Sequence, residues 1–396
     1  MRRGITLVEL LIVIVVMALL VVLAVAIIGR AREASRRQQC QNNLKQLSLA
    51  VHNFHDSTKK LPKANYQPQF CADKHFNAET GTYGNRELYG ILPVLMPYIE
   101  SNPYYGLLST ELQKEGDALT PWDAQWHNIK PTKGKFSDYK AISQVRSSIF
   151  LCPSDPMSYN HSATDFGRTS YHGCRGDIWV DWLSPSTRGV FVSGPNDPIS
   201  LSDIVDGTSN TMTFAECAIG NNHGGKNSPV RGGLAYGMPY GADAVPMRCL
   251  ERADKNGKRV LTGDQNHDVL TDAKGPGLCW LSGLQVNDQF FAILPPNSPS
   301  CSSESNWQNL AMISASSYHV GGCNVAFADG SVQFVNNDVD CGDLSQSALD
   351  YHEYGKSQKY GDIYESVEKM TTEESPWGVW GALGARADIT YGMAIQ

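Results

Sequence analysis

Serine and histidine side chains are numerous in the sequence, but their spacing matches no catalytic motif. The Gly-x-Ser-x-Gly sequence of a nucleophile elbow is absent, and an oxyanion-like string, His-Gly-Gly-Lys at 223–226, stands alone. The His-Glu-x-x-His and paired Cys-x-x-Cys motifs of zinc sites are absent too. His319 could be a base or a ligand, but a histidine before a hairpin more often donates to a backbone carbonyl. We therefore expect that the protein is not an enzyme.

An Asp-x-Asn-x-Asp pattern is the best metal candidate that the sequence offers. Asp264, Asn266 and Asp268 are spaced like the first ligands of an EF-hand calcium loop. Such a loop needs glycine at its sixth position and a bidentate glutamate at its twelfth, where this chain has Val269 and Gly275. We reject an EF-hand. A structural calcium held irregularly by these oxygens and an ordinary solvated turn are both compatible with the pattern.

Tryptophan pairs raise the separate question of a glycan site, because an indole ring can stack on a sugar. Packing in the core or at its edge explains such pairs more simply. The pairs are Trp122/Trp126, Trp179/Trp182 and Trp377/Trp380.

Composition excludes several classes of protein. Of the 396 residues, 41% are hydrophobic and 18% are charged, which is enough apolar material to exclude wholesale disorder. The formal net charge is −7 and no basic block follows the first 40 residues, so we expect no nucleic-acid partner. Ten cysteines are an even set that indicates disulfides and an oxidising compartment.

An unbroken run of nineteen apolar residues occupies positions 10–28. As a helix it would span about 29 Å, the thickness of a bilayer core, so it predicts a single membrane span. A cleaved secretory signal is the alternative, but its apolar region is usually shorter and ends in a small-residue cleavage site. Arginines flank both ends of the run, so charge alone leaves the orientation open.

The residues around Glu9 resemble a known processing signal. The string RRGITLVELL at 2–11 is similar to the class III signal of type IV pilins and type II secretion pseudopilins. The resemblance implies that a prepilin peptidase cleaves between Gly4 and Ile5 and methylates the new amine of Ile5. Ile5 stands where the family usually has phenylalanine. The simpler alternative is a carboxylate at the headgroup level with no role.

The same resemblance implies an orientation, a location and partners. The head would lie outside the cytoplasm, in a single-pass inner-membrane protein that becomes an extracellular or periplasmic filament after assembly. The implied partners are the prepilin peptidase, the inner membrane and identical or related pilin-like subunits. A carboxylate within the membrane needs a partner, and we expect the Ile5 amine of a neighbouring subunit to pair with Glu9 and so set the register of assembly.

Helical periodicity continues beyond the apolar run. Leu44, Leu47, Val51 and Phe54 fall on one face of a helix, which Pro62 limits. The predicted organisation is a leader at 1–4, a transmembrane half-helix at 5–28, an amphipathic half-helix at 29–58 and a head at 59–396 with a probable insertion at 220–274. The single helix would be about 80 Å long.

The head has the composition of short strands and long loops. Strands are predicted at 148–151, 178–182, 189–193, 212–218, 278–284, 290–294 and within 324–336. The fold class is therefore α+β, with a type IV pilin-like long helix packed on an antiparallel sheet. In the last segment Asp329-Gly330 predicts a type I′ turn, which would set Phe327 opposite Val332.

A second resemblance rests on His319, which precedes Asp329-Gly330 by nine intervening residues. This pattern is similar to the closing motif of a bacterial domain-of-unknown-function family, often labelled by its H-x9-DG signature, whose members also begin with a prepilin-type segment. Further matching stretches are AREASRR at 31–37, CQNNLKQ at 40–46, HNFH at 52–55, FLCPSDP at 150–156, and IVDGTSNT at 204–211 running into Glu216. The chain departs from the family in its 220–274 segment and its extra cysteines.

Cys40 and Cys152 both lie in these family-type stretches. A disulfide between them would tie the helix to the head, although each could instead pair locally, because connectivity cannot be read from sequence.

The sequence leaves two functions from different classes open. The first is a structural pilin-like or pseudopilin-like subunit; the alternative is a membrane-anchored extracytoplasmic module that binds a glycan, a metal or a protein.

Overall fold

The computed structural model describes fourteen stretches of the chain. It gives the backbone but not the side chains of residues 23–27, 76–77 and 82–83. Gly4 and Ile5, and the calcium candidates Asp264, Asn266 and Asp268, lie outside the described residues. The stretches are 7–65, 76–77, 82–83, 90–99, 144–160, 166–179, 187–193, 198–220, 230–235, 238, 245–253, 275–302, 311–346 and 374–387.

A single helix, α1, runs from Leu7–Thr58 and is 52 residues long. The predicted apolar stripe lies on its C-terminal half, where Leu44, Leu47 and Val51 are almost fully buried. Asn43 fixes this half by donating from its side-chain nitrogen to the carbonyls of Ser148 and Leu151, each at 3.1 Å. The prediction of one helix that enters the head is therefore confirmed.

The N-terminal half of α1 is exposed. Its large apolar side chains between residues 7 and 22 range from 49% exposed at Val16 to 79% at Leu7. Among the helices that the structure describes, none reaches both the length and the apolar character needed to cross a membrane.

The remaining helices are short. The α-helices are α2 (Ile91–Leu95), α3 (Pro246–Leu250), α4 (Gln285–Asp288) and α5 (Gly378–Gly384). The 3-10 helices are Met96–Tyr98, Ser148–Phe150, Pro156–Ser158 and Leu201–Asp203.

The strands that the structure describes form three sheets, so the predicted α+β class is confirmed, but two of these sheets are mixed rather than antiparallel as predicted. The main sheet has five strands in the order β10-β9-β4-β3-β6, antiparallel except for the parallel pair β3 and β6. These strands are β3 (Tyr171–Cys174), β4 (Met212–Glu216), β6 (Gln289–Phe290), β9 (Gly322–Phe327) and β10 (Val332–Asn336). The smaller sheets pair β1 (Phe76–Asn77) with β2 (Thr82–Tyr83), and β5 (Leu234–Ala235) and β8 (Ala311–Met312) with β7 (Ser300–Ser302).

Both faces of the main sheet pack against a core. Successive residues of a strand point to opposite faces, and here they fall in two different cores. Phe214 and Ala326 join the core that includes Leu44 and Leu47 of α1. Val325, which precedes Ala326 in β9 and points to the opposite face, belongs to a second core. That core also holds Ala215, Phe290 and Trp380.

Several predicted strands are wrong. The segment at 148–151 is mostly the 3-10 helix Ser148–Phe150, and 189–193 and 278–284 are irregular, with bends, turns and one isolated bridge at residue 282. Residues 178–179, the described part of the 178–182 prediction, are not in a strand, and only Phe290 of the 290–294 prediction is. These runs are apolar because they are buried, and a short apolar run does not by itself distinguish a strand from an irregular core segment.

The predicted hairpin is present, but its register is wrong by one residue. Val332 pairs with Ala326, so Phe327 does not lie opposite it. Only Gly330 has a positive φ, of 84°, whereas a type I′ turn needs two such residues. The turn therefore contains three residues, and its extra residue moves Phe327 and Val332 to opposite faces of the sheet.

Candidate functional site

His319 lies between two carboxylates in the connection from β8 to β9. Its Nδ1 is 2.7 Å from Oε1 of Glu33, and its Nε2 is 3.3 Å from Oε1 of Glu216. The imidazole is 1% exposed. The expected donation to a backbone carbonyl is wrong: in the part of the chain that the structure describes, the ring nitrogens face acidic side chains and a cysteine sulfur.

Glu33 brings helix α1 into this cluster. Arg36, one turn along the same helix, donates from Nη2 to Glu33 Oε2 at 2.8 Å. Ser154, just after Cys152 in the head, donates to both carboxylate oxygens at 3.2 Å. Glu33 is the most exposed member of the cluster, with a third of its side chain accessible. It therefore closes the cluster on the solvent side.

Glu216 brings in the main sheet. It is the last residue of β4, pairs with Tyr171 of β3 and is 1% exposed. The backbone N–H of Asn324 donates to its Oε2 at 2.8 Å. Its Oε1 has no hydrogen-bond partner among the described residues, since the 3.3 Å approach to His319 lacks hydrogen-bond geometry. One oxygen of a buried carboxylate is thus held by the backbone and the other points into the cluster.

A disulfide joins Cys40 of α1 to Cys152 of the head, with their Cα atoms 5.3 Å apart. The Sγ of Cys152 is 3.6 Å from Nε2 of His319. One donor atom from each of Cys40, Cys152, Glu216 and His319 falls within 4.8 Å of all the others, and all four residues are buried. We call these four residues, together with Glu33, the clamp.

The electrostatics of the clamp favour an ion pair between α1 and the head. Burial disfavours a charged imidazole, but the carboxylates of Glu216 and Glu33 outweigh it and raise the pKa of His319. Burial likewise opposes ionisation of Glu33, but hydrogen bonds from His319 and Arg36 lower its pKa below the ordinary value. The charged imidazole therefore donates a hydrogen bond from Nδ1 to Glu33 and faces the carboxylate of Glu216 as an ion pair.

A second buried carboxylate lies beside the clamp. Asp155 accepts hydrogen bonds from the backbone N–H groups of Ile219 and Met157, at 2.8 and 2.9 Å. Burial raises its pKa to about 7 despite these bonds. Asp155 caps the 3-10 helix Pro156–Ser158 and so positions the loop that carries Cys152.

The clamp contains three residues that the sequence analysis singled out, namely Cys40, Cys152 and His319. Asp329 and Gly330 are not part of it: they form the hairpin turn, where the Asp329 N–H donates to the Thr208 carbonyl at 3.0 Å. Glu9 lies in the first turn of α1. The calcium candidates Asp264, Asn266 and Asp268 lie outside the residues that the structure describes.

Sequence reasoning missed Glu33 and Glu216 as site residues. The available signal was that both lie in family-type stretches, which run from 31 and from 204. All the clamp residues in fact come from such stretches, which are far apart in sequence and meet at one point.

Comparison with protein families matches most of the chain. A family model described as a protein of unknown function (DUF1559) matches residues 29–342, which include every clamp residue. Searches of curated proteins and of solved structures found no match. The matched region begins after the apolar run at 10–28, so it concerns the second half of α1 and the head.

Proposed function

This chain belongs to the DUF1559 family, and from that premise we propose that it is a structural, pilin-like or pseudopilin-like subunit rather than an enzyme. In this proposal a prepilin peptidase cleaves it, and its N-terminal helix then assembles into an extracytoplasmic filament. The H-x9-DG pattern at His319 and the prepilin-type signal at residues 2–11 belong to the same proposal.

The observation that carries the proposal is the division of α1 into two unlike halves. The half from Cys40 to Val51 is packed against the head and joined to it by the clamp. In the half from residue 7 to 22, fourteen large apolar side chains are exposed. A helix that is firmly held at one end and, apart from Glu9, apolar all round at the other is suited to association through its free end.

The energy of that exposed surface argues against a monomer in water. Burying one Leu, Ile or Val side chain stabilises by about 1.5 to 3 kcal/mol, so fourteen large apolar side chains represent tens of kcal/mol. Lipid before assembly and neighbouring helices after assembly would both supply this burial. The lipid stage is proposed from the sequence alone: the apolar run at 10–28 has nineteen residues, the length of a membrane span, and it includes 23–27, whose side chains lie outside the described part of the chain.

Processing is the first step to test. We expect cleavage between Gly4 and Ile5 and a methylated Ile5 amine, which mass spectrometry of the N-terminal peptide would detect. Gly4→Leu should block cleavage, because the peptidase site needs a small residue there. Gly29→Ala is a matched control: it lies on the same helix, and its new methyl group would meet nothing within 4 Å. A mature protein that retains Met1 would contradict the proposal.

Assembly is the second step to test. Filaments sheared from cells and examined by electron microscopy should contain the mature chain in stoichiometric amount. If the chain is cleaved but stays in the membrane fraction and is missing from filaments, the anchored binding module becomes the better proposal. Its ligand would then be sought with the purified full chain against glycans, calcium and proteins.

A further inference from the structure

We propose that the clamp is a zinc site when its disulfide is reduced, with Cys40, Cys152, His319 and Glu216 as the four ligands and Glu33 supporting His319. The proposal concerns the inside of the molecule. It does not depend on whether the chain assembles into filaments.

The donor set and its spacing fit zinc. The four residues offer two sulfurs, one imidazole nitrogen and one carboxylate oxygen, all within 4.8 Å of one another. Structural zinc sites are tetrahedral and use Cys, His and carboxylate ligands, with bonds of about 2.0 to 2.3 Å. Four atoms around such an ion are separated by less than 4.8 Å, so closing the site needs only side-chain adjustment.

The histidine is already oriented as a ligand. A metal-binding histidine almost always donates its second ring N–H to a carboxylate or a carbonyl, which fixes the tautomer. Here Nδ1 lies 2.7 Å from Oε1 of Glu33. Donation from Nδ1 leaves the lone pair of Nε2 facing the Cys152 sulfur at 3.6 Å and Glu216 Oε1 at 3.3 Å. Glu33 is therefore a positioning residue in this site.

Glu216 is placed to be the fourth ligand, because a metal-bound His319 is neutral and no longer presents a positive charge to Glu216 Oε1 at 3.3 Å. Its carboxylate is buried, and its Oε1 has no hydrogen-bond partner in the described chain although it points at the other three donors. A buried carboxylate oxygen without a hydrogen bond is unfavourable, whereas a coordinated one is stabilised. Two thiolates and this carboxylate carry three negative charges, which a divalent zinc ion reduces to one.

A reductant of the dithiol class can open the disulfide between Cys40 and Cys152. Two electrons from the dithiol break the bond between the Cys40 and Cys152 sulfurs, giving two thiols, and the dithiol becomes a cyclic disulfide. Zinc then replaces the two thiol protons, which are released to solvent. Reoxidation by an exogenous disulfide proceeds by thiol–disulfide exchange: that disulfide accepts the two electrons and leaves as two thiols, the bond between the Cys40 and Cys152 sulfurs forms again, and the ion is released.

The consequence is that α1 stays attached to the head in both redox states. In the oxidised chain the link at Cys40 is covalent, and in the reduced chain it is a metal bridge between the same elements. Reduction of the disulfide would therefore not release the helix from the head as long as zinc is bound.

The test uses the full chain in detergent, reduced without oxygen by a phosphine that does not compete for zinc, and then freed of the reductant. We expect the reduced chain to bind about one zinc ion at this site. With cobalt as the probe, it should show thiolate-to-cobalt charge transfer and the strong visible bands of a tetrahedral site. The oxidised chain should show neither band. Absence of these bands in the reduced chain would overturn the proposal.

Variants separate the clamp from the other cysteines. Cys40→Ser with Cys152→Ser should abolish the cobalt bands, whereas Cys249→Ser with Cys301→Ser, which removes the second disulfide found among the described residues, should leave them unchanged. Glu33→Gln keeps all four ligands, so it should keep the bands but weaken cobalt binding by about 10- to 100-fold. Circular dichroism of each variant distinguishes loss of binding from loss of folding.

Two results would contradict the assignment. The first is cobalt bands that survive in the Cys40→Ser and Cys152→Ser chain, which would place the metal on the other buried thiols. The second is equal affinity in Glu33→Gln and the parent chain, which would show that Glu33 does not support a coordinated His319.

Discussion

At the scale of single residues, His319 connects three parts of the chain through one ring. Glu33 is on the helix, Glu216 is at the end of a central strand, and Cys152 is in the loop between them. Two carboxylates facing one imidazole stabilise its charged form. Attachment of the helix therefore depends on the charges of His319 and Glu33, which respond to pH in opposite directions.

The direction of each pKa shift determines how the contribution of that residue to the stability of the fold changes with pH. The pKa of His319 is raised by folding, so its contribution is complete below its ordinary value of 6.5 and is lost as pH rises through the higher folded value. The pKa of Glu33 is lowered, so its contribution is complete above its ordinary value of 4.5 and is lost as pH falls through the lower folded value. The pair stabilises the fold most between these two ordinary values.

Glu33→Gln tests the pH range in which the pair of His319 and Glu33 stabilises the fold. We expect it to lower the free energy of unfolding by about 1.5 kcal/mol near pH 5.5, the low end for a hydrogen bond to a charged group because Glu33 is partly exposed. The loss should shrink above the folded pKa of His319. Denaturant unfolding of the oxidised chain at several pH values would measure it. Asp56→Asn, an exposed change on the same helix, is the control; an equal pH dependence in both variants would contradict the assignment.

The disulfide makes a larger, pH-independent contribution. It closes a loop of 112 residues, so Cys40→Ser with Cys152→Ser should lower the free energy of unfolding by about 2 to 5 kcal/mol. Cys249→Ser with Cys301→Ser, which opens a loop of 52 residues, should cost slightly less by the same relation. Peptide mapping without reduction should recover Cys40 linked to Cys152, and a free thiol at Cys40 would disprove the bridge.

At the scale of elements, the hairpin of β9 and β10 shows how one backbone angle decides which side chains face the helix. The positive φ of Gly330 ends a three-residue turn. Val332 and Phe334 consequently face α1, where the guanidinium of Arg37 lies 3.5 Å from the centre of the Phe334 ring. The turn therefore determines a contact surface of the helix as well as the end of two strands.

Gly330→Ala tests the left-handed backbone conformation of this residue alone, because nothing but the His52 ring lies within 4 Å of the added carbon. The left-handed conformation costs an L-residue about 1 to 2 kcal/mol, so we expect a loss of stability of that size. Gly330→Asn should lose less, since asparagine tolerates this conformation. Thermal unfolding of the three chains would show the order, and equal midpoints for Gly330→Ala and the parent would contradict the turn geometry.

Local patterns predicted α1 and the hairpin because both have signals that span neighbouring residues. The period of Leu44, Leu47 and Val51 shows the buried face of a helix before any partner is known. The clamp has no such signal: Glu33 and Glu216 look like ordinary surface acids until the strands place them around His319. The hairpin register failed for a related reason, since Asp329-Gly330 is compatible with both two-residue and three-residue turns.

At the scale of the whole molecule, the proposed assembly places Glu9 among apolar helices. A carboxylate in such surroundings is stable only opposite a cation, and the amine of Ile5 on a neighbouring subunit appears only after cleavage. The pair would favour one axial register over all others. Glu9 would therefore direct assembly without contributing to the folding of the head.

Glu9→Leu tests this role. We expect the variant to be cleaved and inserted at least as well as the parent chain but to form no filaments, while Glu9→Asp assembles partly. Counting filaments by electron microscopy, with the cleaved chain quantified in membranes, separates assembly from processing. Normal filaments from Glu9→Leu would favour the anchored binding module.

Glu33 and His319 are 286 residues apart, so their contact cannot form until long after Glu33 has been synthesised. A ribosome adding roughly 5 to 20 residues per second needs about 15 to 60 s to travel between them. During that interval the core that contains Leu44 and Leu47 of α1 still lacks Ala326 and Ala328 of the last hairpin. The time before His319 emerges is thus when the chain is most exposed to aggregation and proteolysis, and when a chaperone would matter most.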